Sequence, residues 1–167
     1  MSALRRPERL HRLVVVNGWA RLEAHTARCF DARLALLRRV GVGAYIAAQP
    51  IFLYPAAWIS EHSSELDAEL PHQLAGFAGA DVYEKRIAAL REFDVFDRLN
   101  DLTVPTLAYA SRDDMLVPFV CSAEMSLNGP IELELVGSGG HAINVTVVDR
   151  FDRDMLTFLA LHPIKDR

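Results

Sequence analysis

At 167 residues, with 51% hydrophobic and 24% charged residues, the chain is long enough to bury one sizeable core and too apolar for global disorder. A net charge of −4 without any basic block gives no electrostatic case for nucleic acid or for an anionic membrane surface. Cys29 and Cys121 are the only cysteines and form no Cys-x-x-Cys pair, so neither a disulfide framework nor a zinc site is indicated, as suits a reducing compartment.

Arg5, Arg6, Arg9 and Arg12, interrupted by Glu8, read as a solvated helix face. The apolar run after them is too short for a signal-peptide core or a membrane span, and the sequence predicts a cytoplasmic location with no membrane segment. Residues 12–17 are continuous, apolar and β-branched, the pattern of a strand buried on both faces of a parallel sheet. Residues 22–48 read as helix, interrupted only by Gly41 and Gly43. Residues 49–58 are aromatic and broken by Pro50 and Pro55, which argues against a long regular element. Two more helices are predicted over 59–79 and 80–93, the second carrying Val82, Ile87, Leu90 and Phe93 near helical spacing.

A second strand is expected over 104–110, where Pro105 suits a strand start and not its middle. A short helix follows over 119–127, then a turn at Asn128-Gly129-Pro130, then an alternating edge or half-exposed strand over 131–136. Residues 137–140 form a glycine-rich loop. Thr146 and Asp149 have the spacing of a capping box, and Asn144-Val145-Thr146 reads as a helix start, not a glycosylation signal. The last helix places Phe151, Met155, Phe158 and Leu159 on one stripe. The order predicts an α/β fold: three mainly parallel strands with flanking helices, and a helical block at about 20–96 inserted between sheet strands as a cap.

Two constellations carry chemistry. Ser111-Arg112-Asp113-Asp114 follows the second strand, and Gly139-Gly140-His141 follows the third. Functional groups gather beyond the carboxyl ends of parallel strands. A carboxylate on the imidazole Nδ1 fixes the tautomer and frees Nε2 as general base. Alone, an Asp pair after a strand is more often a turn or cap than a catalyst, and a histidine in a glycine loop is more often a surface residue. Together, in this order, they read as the acid and histidine of a hydrolase triad. Asp114 fits Gly-x-x-Asp-x-x-x-Pro best, with Ser111 in place of the glycine and Asp113 as the fallback acid.

Several segments resemble the RutD-type α/β-hydrolases of pyrimidine-ring degradation: Asn17-Gly18-Trp19, Ala24-His25-Thr26, Phe52-Leu53-Tyr54-Pro55, residues 111–118 and residues 139–146. The resemblance covers about residue 10 to the last helix and implies a partial α/β-hydrolase fold, here its C-terminal portion. It implies hydrolysis of 3-aminoacrylate, or of a carbamate, to malonic semialdehyde and ammonia without a cofactor or metal. By that likeness His141 is the base and Asp114 its orienting acid, while Trp19, Tyr54 and Trp58 line a substrate pocket; packing within the cap explains the aromatics equally well.

No serine or cysteine has glycines two residues away on both sides, so the Gly-x-Ser-x-Gly elbow is absent. The strand at 12–17 is therefore expected to lack its inner neighbour, and the isolated chain to be inactive, to associate as a homodimer, or to need a complementing N-terminal half. A small-molecule substrate is the expected partner. Rival readings are a non-catalytic cap-bearing module, half of a split hydrolase, and another hydrolase such as an esterase. Arg21, Arg28 and Arg33 are all candidates for binding a substrate carboxylate, or equally a solvated helix face.

Overall fold

The computed structural model describes residues 2–164. Helix α1 (Ser2–Arg5) and a 3-10 turn (Pro7–Arg9) lead into strand β1 (Leu13–Val16). Arg5, Arg6 and Arg9 are exposed there, but Arg12 is half-buried and donates to the Leu159 carbonyl at 2.7 Å. The basic cluster is thus not one helix face.

Six helices follow before the next strand: α2 (Ala24–Arg39), α3 (Val42–Ala47), α4 (Gln49–Leu53), α5 (Ala56–Glu61), α6 (Ser63–Ala75) and α7 (Ala80–Arg91). The helix expected over 22–48 breaks at Gly41, whose φ of 115° no β-carbon-bearing residue adopts readily, while Gly43 stays inside α3. Pro55 separates α4 from α5, so 49–58 holds only short pieces of helix. The predicted 59–79 helix splits in the same way, ending α5 at Glu61 and starting α6 at Ser63.

Strand β2 (Thr106–Ser111), helix α8 (Val120–Asn128), strand β3 (Glu132–Val136), helix α9 (Ile143–Thr146) and helix α10 (Val148–Leu161) complete the described chain. The sheet order is β1-β2-β3 with both pairs parallel, Leu13 opposite Thr106 and Leu107 opposite Glu132.

Period-two alternation divides the sheet between two cores. Ala108 packs with Leu99, Leu102, Met125 and Ile131 on the α8 face, where Leu13 and Val15 join it. Leu107 and Tyr109 pack with Val136, Ile143 and Phe158 on the α10 face, where Val14, Val16, Phe151 and Met155 join. Leu159, expected on that stripe, is 40% exposed. β2 is buried at every residue, as a central strand should be, whereas β1 is only half-buried throughout. The expectation of a fully buried first strand fails because, among the described residues, β1 is a sheet edge with β2 on one side only.

The helical insertion has its own core of Leu37, Tyr45 and Ile46 against Leu70, Phe77 and Tyr83. Its two ends are pinned together by an antiparallel bridge between Arg21 and Asp94 and by Val95 N–H donating to the Ala20 carbonyl at 2.8 Å. Among the described residues, no helix is long and apolar enough to cross a membrane.

Candidate active site

The three parallel strands deliver three loops to one end of the sheet, and the side chains there close on each other. Asp114 Oδ2 lies 2.8 Å from His141 Nδ1. Asp114 Oδ1 accepts the Leu116 and Val117 N–H groups at 2.8 and 2.9 Å, so the carboxylate is held in its own tight turn. The Asp114 side chain is 0% exposed and that of His141 25% exposed, which keeps the acid dry and leaves the ring reachable. With Nδ1 facing a carboxylate, the neutral ring carries its proton there and presents Nε2 as a base.

The paired aspartates divide the work. Asp113 Oδ1 accepts the N–H groups of Gly139 and Gly140, both at 2.9 Å, together with the Ser111 hydroxyl at 2.5 Å. Asp113 therefore holds the backbone that precedes the histidine and does not touch the imidazole partner site. Asn17, 2% exposed at the end of β1, holds the same loop from the other side. Its Nδ2 donates to the Gly140 and His141 carbonyls at 3.0 and 2.8 Å, and its Oδ1 accepts the Ser111 N–H at 2.9 Å. Its φ of 48° lies in the left-handed region that asparagine tolerates better than most residues. One carboxamide thus ties the ends of all three strands together.

Gly140, with φ of 66°, passes so close to the helical insertion that a β-carbon would lie 2.8 Å from the Leu53 carbonyl oxygen. The same Leu53 carbonyl accepts the Ala142 N–H at 2.9 Å. Thr146 does not form the capping box expected of it: no side chain caps α10, and the Thr146 hydroxyl donates to the Gly139 carbonyl at 2.5 Å. The loop competes for that hydroxyl and wins, because an unpaired buried carbonyl costs more than a weak cap.

On the acid side, His25 Nε2 lies 2.7 Å from the Met115 carbonyl, which can only accept, so that nitrogen carries the proton. Cys29 sits one turn further on with Sγ 3.6 Å from the same oxygen. Burial pushes the Cys29 thiol up, and pushes Cys121 up to about 11, so both are protonated and poor nucleophiles near neutral pH.

Trp19 packs edge-on against Phe30 at 6.1 Å in the core shared by α2 and the acid loop. Tyr54 and Trp58 lie 4.4 Å apart, and Trp58 stacks on His62 at 4.0 Å, a ladder of rings along and beside α5. Of the three candidate arginines, Arg21 pairs with Glu124 and Arg28 is exposed and donates to its own helix at the Ala24 carbonyl. Arg33 is half-buried. Sequence reading missed Asn17, Ser111 and Thr146 as site residues; their one signal is a small polar side chain at a strand or loop end.

An acid after β2 and a histidine after β3, on a parallel sheet with a helical insertion, are the arrangement of the α/β-hydrolase fold. Solved structures agree on the fold. An α/β-hydrolase from a Medee basin deep-sea metagenome library matches with a TM-score of 0.83 at 20% identity, covering 99% of this chain and 62% of that one. The enol-lactonase of Burkholderia xenovorans LB400 matches with a TM-score of 0.82 at 18% identity, covering 95% and 60%.

By sequence, the chain is similar to RutD-type proteins. It is 47% identical over 159 residues to a RutD protein of Caulobacter sp. (strain K31) and 48% identical over 158 residues to one of Serratia proteamaculans (strain 568), both named for carbamate hydrolysis. These matches cover 95% and 94% of this chain but 59% of each relative, so the chain spans about three fifths of their length. No family model matches it.

Proposed function

We propose that this chain carries the histidine, the acid and the cap of a hydrolase that acts on a small C–N compound, 3-aminoacrylate or a carbamate, releasing ammonia. The observation that carries the reading is the 2.8 Å contact between His141 Nδ1 and Asp114 Oδ2 beyond the carboxyl ends of β3 and β2. The relatives' names support the C–N chemistry.

With 3-aminoacrylate the enamine first tautomerises to the imine. His141 Nε2 takes a proton from water as its oxygen bonds to the imine carbon, and the imine nitrogen gains a proton from solvent. Asp114 steadies the imidazolium that forms. The carbinolamine then collapses: the imidazolium gives its proton to the amine nitrogen, the C–N bond breaks, the hydroxyl proton passes to solvent, and the nitrogen leaves as ammonia. Malonic semialdehyde remains. No covalent serine intermediate is required. Helices α2–α7 serve as the cap, with Trp19 packed in the cluster of the acid loop and Tyr54 beside Leu53 and Pro55, which contact the Gly140 loop.

The test is ammonia release from 3-aminoacrylate generated in the assay, above the uncatalysed rate. General-base catalysis is worth roughly 10²–10⁴-fold, and His141→Ala should remove that margin. An unchanged rate in that variant would sink the proposal.

A further inference from the structure

Six of the fifteen arginines of the described chain pair with acids, among them Arg38 with Glu84, Arg91 with Asp31, Arg98 with Asp101 and Arg150 with Glu134, and most of the others are exposed. Arg33 differs. Its Nη2 donates to the Tyr45 hydroxyl oxygen at 3.0 Å and to Gln49 Oε1 at 2.7 Å, both neutral acceptors. Its guanidinium carbon lies 5.4 Å from the Tyr45 ring centre and 5.7 Å from that of Phe52. Its Nε is buried with no acceptor, and among the described residues no carboxylate oxygen lies within 4.0 Å of the group. A half-buried cation without a counter-charge is costly, and such an exception calls for a reason.

The neighbours sharpen the point. Arg33 occupies the acceptor atoms of Tyr45 and Gln49, which leaves the phenolic O–H and the carboxamide N–H groups as donors. Guanidinium, hydroxyl and amide together form a cluster rich in donors and poor in acceptors. A single positive charge matches a monoanion, and the planar fork matches a carboxylate.

The location is close to the proposed chemistry. Arg33 is four residues beyond Cys29 on α2, hence on the same face, and Cys29 touches the Met115 carbonyl next to Asp114. The charge of Arg33 is felt at Cys29, where it works against the burial that raises the thiol. Gln49 and Phe52 belong to α4, whose last residue, Leu53, accepts the N–H of Ala142 beside His141.

We propose that Arg33, with Tyr45 and Gln49, forms the site that recognises the carboxylate of a small monoanionic substrate. The proposal rests on the hydrolase reading above for its substrate, but its test is a binding measurement that does not need turnover. Propionate, its neutral isostere propionamide, and inorganic phosphate are titrated into the whole chain while the Arg Nε–Hε NMR signals are followed. The Arg33 signal is assigned by its loss in Arg33→Lys.

Propionate should shift that signal saturably, propionamide should not, and binding should weaken at least tenfold in Arg33→Met. Tyr45→Phe, which keeps the ring and removes one donor, should weaken it a few-fold and covers the case in which Arg33→Met fails to fold. His141→Ala should bind propionate as the parent does, so absence of ammonia release from the parent chain with intact propionate binding faults the hydrolase reading and not this one. Equal binding of propionate and propionamide, undiminished binding in a folded Arg33→Met, or binding of phosphate alone would overturn the assignment.

Discussion

Replacing Asn17 by alanine tests whether one buried carboxamide organises the site. The side chain makes three hydrogen bonds, to the Gly140 carbonyl, the His141 carbonyl and the Ser111 N–H, and the residue is 2% exposed. Truncation leaves those three groups buried without their partner, at about 1 kcal/mol each even at the low end for an abandoned buried group. Alanine at a φ of 48° adds about 1 kcal/mol, because it lacks the local hydrogen bonding that eases asparagine there. The expected loss is about 4 kcal/mol, a large share of the stability of an ordinary domain. Urea unfolding measures it as a fall in midpoint at constant slope. In the folded fraction, the low-field proton NMR signal of His141 Nδ1–H should broaden, since the loop that aims the ring is released. A loss below about 1 kcal/mol with that signal unchanged would refute the idea that Asn17 joins the three strand ends.

Asp113→Ala removes the acceptor of two loop N–H groups and of the Ser111 hydroxyl, and should cost about 3 kcal/mol by the same unfolding measurement. Gly140→Ala should cost about 2–3 kcal/mol, because its β-carbon would stand 2.8 Å from the Leu53 carbonyl oxygen at a φ of 66°; thermal melts check this, and a neutral outcome would mean α4 yields freely. Tyr109 is pushed up to about 12 by burial and by donating at 2.9 Å to Asp154. Its folded value exceeds its unfolded one, so the stabilisation is complete below the ordinary value of 10 and is lost as pH rises through about 12. Thermal melts across that window should show the loss, and Tyr109→Phe should flatten it.

The sequence by itself determined the α/β class, the parallel sheet and the pairing of Asp114 with His141. Local patterns carry that information: a run dense in β-branched residues at 12–17, a mostly apolar run at 104–110, and a carboxylate and an imidazole each shortly after a strand. It also separated Asp114 from Asp113, through the spacing to Pro118. What the second aspartate does was decided only by tertiary structure, because its partners, Gly139 and Gly140, are 26 and 27 residues away. The same holds for Asn17, whose bonds span 94 to 124 residues, and for Thr146, whose hydroxyl the glycine loop takes from the helix it was spaced to cap. Arg21, Arg28 and Arg33 were equivalent as sequence, since charge and spacing are alike on one helical approach. Folding gave Arg21 a glutamate and Arg28 to solvent, and gave Arg33 only neutral partners. Propensity and periodicity act over a few residues; which polar groups end up paired is settled by contacts between distant segments.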